Sequence, residues 1–131
     1  MTTLSVVQDF LTRLAAQDAD AVGELFADDI DWQVPGNPSL PWTGAREHGS
    51  DVPVFLRTMW SHFVEGRSEV RLDDIAVDGE TAVVFAQLTH TAAPTGRPFT
   101  TAAALRFRVV DGQIVKLHLY EDTHAVSAAF V

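Results

Sequence analysis

The chain has no cysteine. That excludes thiolate nucleophiles, disulfide bridges and sulfur-ligated metal, and leaves the redox compartment open. Cations are scarce, with nine Lys and Arg against eighteen Asp and Glu and a formal net charge of −9. Such a balance repels phosphate backbones and anionic lipid, so neither nucleic acid nor a membrane surface is an expected partner. Long apolar runs are missing, and no stretch reaches the ~20 residues of a membrane span. The opening MTTLSVVQDF lacks the basic start and apolar run of an export signal, and a cytoplasmic location is expected. Five histidines, at 48, 62, 90, 118 and 124, form no close ligand pair, so neither metal nor cofactor is expected. There is no Gly-x-Ser-x-Gly elbow, phosphate loop or dinucleotide fingerprint either.

What is present suits one domain spanning 1–131, long enough to bury roughly two thirds of its unfolded surface. Leu4, Val7, Phe10, Leu11 and Leu14 recur at helical spacing behind the possible caps Thr2 and Thr3. A short second helix follows QDAD, with Asp20 as its expected cap. IDWQV alternates as a half-buried strand, and PGNPSLPWTG is a loop. A third helix, capped by Ser50 or Asp51, runs through Phe55, Met59, Trp60 and Phe63 and ends near Gly66. Pro53 fits its first turn. From Glu69 onward EVRLDDIAV, TAVVFAQLTHT, RPFTTAAALRFRVV and QIVKLHLYE read as strands separated by DG, APTG and DG. The charged run EGRSEVRLDD is most simply a solvated strand entrance. The expected class is α+β: three N-terminal helices on a curved, mainly antiparallel sheet, with a short C-terminal helix.

LFADDIDWQVPG, PTGRPF, VVDGQIV and YEDT resemble, in order, pieces of the nuclear transport factor 2-like superfamily. The SnoaL-like polyketide cyclases and ketosteroid isomerase relatives are the most similar groups. The resemblance spans nearly the whole chain. It implies a cystatin-like roll with a conical cavity, a small apolar ligand and a homodimer formed through the outer face of the sheet. It does not carry over the chemistry. The isomerases' base, tyrosine and partner acid fall on Val34, Phe10, and Ala103 or Ala104. The cyclases' aspartate and histidine fall on Leu119 and Leu105. The Asp-Arg-Asp set of limonene-epoxide hydrolases falls on His90, Leu88 and Leu119, and their water-holding tyrosine and asparagine on Trp32 and Val34.

The stretch KLHLYEDTHAV packs two histidines, a tyrosine and two acids into the end of the chain. If Leu119 faces the cavity, period two turns Leu117 and Glu121 with it and sends His118, Tyr120 and Asp122 outward. Asp122 then caps a terminal helix. His90, on one face with Val84, Ala86 and Leu88, is the candidate base; its plainer reading is a hydrogen-bonded structural histidine. Trp32, Trp42, Trp60, Phe10, Phe63 and Phe99 could line a ligand pocket or simply fill the core. Val34, Leu105, Leu119, Glu121 and the Thr101 hydroxyl complete the candidate ligand-binding set. Three functions stay open: an enzyme (isomerase, cyclase, dehydratase or hydrolase) on an apolar, polycyclic-sized substrate, a non-catalytic small-molecule-binding module, or, least favoured because it gains little from an aromatic cavity, a dimeric interaction domain.

Overall fold

A computed structural model describes residues 2–131. Helix α1 (Thr3–Ala15) begins with a reciprocal capping box between Thr2 and Ser5. Its buried side is Val6, Val7 and Phe10. The helix ends in a left-handed turn at Gln17, φ +53°. The N–H groups of Gln17 and Asp18 donate to the carbonyls of Leu14 and Arg13, a closure in which glycine is the usual residue because a Cβ strains that region. Helix α2 (Ala19–Gly23) follows at once. Its cap is Asp18, which accepts the Ala21 N–H, and not the expected Asp20, which already lies in the first turn.

Strand β1 (Phe26–Val34) buries Ile30, Trp32 and Val34 in alternation. Strand β2 (Gly44–His48) pairs antiparallel with it and has no counterpart in the sequence reading. Its residues GAREH offer no apolar face and stay largely exposed, so backbone pairing alone makes the strand. Helix α3 (Asp51–Ser61) starts at Ser50, whose side chain makes no capping bond. It stops short of the expected end near Gly66. His62 is the C-cap, and Phe63 leaves the helix to bridge Ala92.

Strands β3 (Glu69–Asp78), β4 (Thr81–Thr91), β5 (Pro98–Val110) and β6 (Gln113–Glu121) form the expected meander. Between the last two, Asp111 and Gly112 both take positive φ (51° and 77°), as a two-residue hairpin demands. Helix α4 (Thr123–Ala129) ends the chain.

The sheet order is β2-β1-β6-β5-β4-β3. β1 and β6 run parallel, so the α+β sheet is mixed rather than wholly antiparallel. Register shifts interrupt it between Asp29 and Trp32, Leu72 and Asp74, and Arg108 and Val109; such irregularities bend a strand and sharpen its twist. Helix α1 lies over the curved face with Phe10 edge-on to Phe107 at 5.0 Å, and α3 brings Phe55 to 4.7 Å from Trp32. Burying side chains of this size contributes about 1.5–3 kcal/mol each. Among the described residues no helix is long and apolar enough to cross a membrane.

Candidate functional site

A cavity of about 230 Å³ remains between sheet and helices. Strand alternation builds its wall. Leu88 and His90 come from β4, Phe99 and Leu105 from β5, and Leu117, Leu119 and Glu121 from β6. Register places His90 opposite Phe99 and Leu105 opposite Leu119. Trp32 and Val34 face them from β1, and Phe10 and Trp60 from α1 and α3. Trp42 closes in from the loop before β2, its ring 5.6 Å from Phe63 and 5.3 Å from Phe130.

His90, Phe10, Trp32, Val34, Trp42, Trp60, Phe63, Leu105, Leu119 and Glu121 are thus brought together. Thr101 is the exception. It shares the face of Leu88, its partner on β4, but lies outside the cavity wall. Its hydroxyl accepts the Asp122 N–H at 2.9 Å, and is thereby committed to the join between β6 and α4. Sequence reasoning missed Gln17, Ser68, Glu69 and Val70, all in the wall. Three of these lie in the charged run taken for a solvated entrance.

His90 is fixed on two sides. Its Nδ1 is 2.7 Å from Ser68 Oγ, and its ring stacks on Phe63 at 4.1 Å with 9° between planes. Burial lowers its pKa to about 4, because an imidazolium is disfavoured in an apolar wall. The side chain is therefore neutral at pH 7. In the tautomer whose Nδ1–H donates to Ser68, Nε2 keeps a free lone pair.

Glu121 responds to the same wall in the opposite direction. Burial, and secondarily the Asp122 carboxylate, raise its pKa to about 7. Glu121 opposes Ala103, and Ala103 opposes Ala86, four residues before His90. Two strand spacings across and four residues along put the backbones about 16 Å apart, so the two groups stand at different parts of the cavity wall. The indole Nε1 of Trp32, a residue of the same wall, is buried with no hydrogen-bond partner among the described residues. A donor left that way costs about 1–3 kcal/mol.

The terminal cluster divides cleanly. Asp122 caps α4, accepting the Ala125 N–H at 3.0 Å. Tyr120 is exposed on the outer face. His118 Nε2 lies 2.9 Å from Asp31 Oδ1 but outside hydrogen-bond geometry, so that contact is a close approach and not a directed bond. Of the cluster's polar members only Glu121 lines the cavity.

Comparison with known proteins follows the same lines. No curated protein sequence matches this chain significantly. An NTF2-like protein of unknown function from Burkholderia pseudomallei superposes with a TM-score of 0.89 at 22% identity, covering 98% of this chain and 97% of that one. A Jannaschia protein named for the SnoaL-like polyketide cyclases gives 0.82 at 22% identity, over 98% and 90%. One from Rhodopseudomonas palustris, named for isomerases, gives 0.79 at 21%, over 98% and 96%. These likenesses establish the fold. The sequence profile of the SnoaL-like domain matches residues 7–117, and the chain belongs to that family, within the NTF2-like superfamily.

Proposed function

We propose that the cavity is the active site of a small-molecule enzyme of SnoaL-like type, acting on a compact and largely apolar substrate by proton transfer. His90 carries this reading: a neutral imidazole, held by Ser68 and Phe63, in a wall that is otherwise mainly hydrocarbon. Its Nε2 takes a proton from an acidic C–H or from water. Isomerisation, cyclisation and dehydration share the first step, and hydrolysis the second. Glu121, protonated below about pH 7, is the candidate donor to the substrate. If both ionisations count, kcat/KM rises through about pH 4 and falls through about pH 7.

The test needs no natural substrate. The protein is expected to accelerate deuterium uptake at the α-carbon of 1-tetralone in D2O, followed by NMR, and His90→Asn to abolish the acceleration while 1-tetralone still binds. Binding without any acceleration by the wild-type protein would favour a second reading, a non-catalytic binding module. Its support is the apolar character of Val34, Leu105, Leu119 and Ala103 or Ala104, the positions on which the resemblance puts the acids and histidine of related enzymes. We also propose a homodimer. On the outer face Phe85 and Tyr120 are exposed on either side of Ala104, an apolar patch that a second copy would cover.

A further inference from the structure

A second hollow, of about 400 Å³, adjoins the cavity. The two share Gln17, Trp60, Phe63 and Ser68, which form a collar between them. Beyond the collar the walls turn polar. Arg57 and Ser61 stand one helical turn apart on α3, with Glu65 beside them. Arg57 is already engaged, its guanidinium 2.6 Å from Asp20 Oδ1. Ser61 Oγ donates to the Thr58 carbonyl at 2.6 Å and Ser68 Oγ is taken by His90, so what the annex leaves open is the Gln17 amide and the Glu65 carboxylate. Glu65 and Asp20 oppose an anion there, and an alkyl chain would strand the polar groups. A neutral group bearing several hydroxyls satisfies them, since each hydroxyl both donates and accepts. At the collar, the indole of Trp60 lines both hollows and supplies apolar surface beside the polar groups.

Gln17 points the same way. Its backbone sits at φ +53°, where glycine is easier by roughly 1 kcal/mol or more. The side chain at this position is a long amide, and it borders both hollows. Ser68, also in the collar, is the residue that holds His90, so the candidate base stands where the two hollows meet.

We infer that the ligand is bipartite. An apolar, ring-sized body occupies the cavity, a neutral polyhydroxyl substituent of sugar type occupies the annex, and the two join at the collar beside His90. This rests on the cavity being a ligand site. Three probes with one body test it by calorimetry: 2-naphthol, 2-naphthyl β-glucoside and 2-naphthyl phosphate. The glucoside is expected to bind about tenfold more tightly than naphthol, the increment of one net hydrogen bond, and the phosphate more weakly than naphthol. Gln17→Gly, which also relieves the backbone and so does not lower the melting temperature, is expected to reduce the glucoside-to-naphthol ratio toward one. A glucoside no tighter than naphthol, a phosphate tighter than both, or a ratio indifferent to Gln17→Gly would overturn the annex while leaving the cavity reading intact. Failure of all three probes to bind would remove both.

Discussion

Between about pH 4 and pH 7 burial keeps both His90 and Glu121 uncharged in one wall, and the two oppose each other as pH changes. Glu121 ionises above its ordinary value of 4.5 when unfolded but only above about 7 when folded. The folded state holds the extra proton, and stability is lost as pH rises from 4.5 to 7. His90 is protonated below 6.5 when unfolded but only below about 4 when folded. Stability is therefore lost as pH falls from 6.5 to 4. Each substitution should unmask the other group. Glu121→Gln is expected to gain little near pH 4 and about 1–3 kcal/mol near pH 8 in urea unfolding; a gain independent of pH would mean that Glu121 is solvated. His90→Asn should show the reverse, gaining most near pH 4 and least above pH 7. The candidate base itself was legible, because alternation from Val84 fixes the direction of His90. Its anchor was not. Ser68 lies 22 positions away in a charged run, and nothing local in that run marks a residue turned inward.

At the scale of elements, local rules succeeded wherever one signal dominated. Thr2, Asp122 and the Asp111-Gly112 turn each carry their own chemistry, so the starts of α1 and α4 and the last hairpin could be read directly. Asp122→Ala is expected to cost about 1 kcal/mol through loss of the α4 cap, with Asp122→Asn, which keeps a cap acceptor, restoring most of it. Where two signals compete the reading slipped. Helical spacing runs past Ser61, but the bridge of Phe63 to Ala92 and the bond from the Ala93 N–H to the His62 carbonyl take those residues out of the helix. Strand β2 escaped for a different reason, since an exposed edge strand needs no apolar alternation. Its connection to α3 is nonetheless tightly specified. A methyl group on Gly49 would overlap the carbonyl oxygen of Ala27, and the Gly49 N–H donates to Asp28 at 2.9 Å. Gly49→Ala should therefore displace β2 from β1 and cost about 1–3 kcal/mol, the usual penalty of forcing extra volume into a packed site, measured as a lowered melting temperature.

For the molecule as a whole, the meander and the helices before it could be derived from period and punctuation. The parallel join of β1 to β6 could not, because pairing between segments some 85 positions apart leaves no trace in either one. The proposed dimer belongs to this scale. Light scattering at micromolar concentration should return about twice the 14.3 kDa of one chain, and Phe85→Glu should bring it back to one; a wild-type mass near 14.3 kDa would end that proposal. The distribution of aromatic residues has one more consequence. All three tryptophans of the chain line the cavity, while its single tyrosine, Tyr120, stands outside on the convex face. The two chromophores thus divide the molecule into an inner and an outer optical channel. Emission excited selectively in indole will respond to whatever enters the cavity, and the phenol band to whatever meets the outer sheet, without any label being attached.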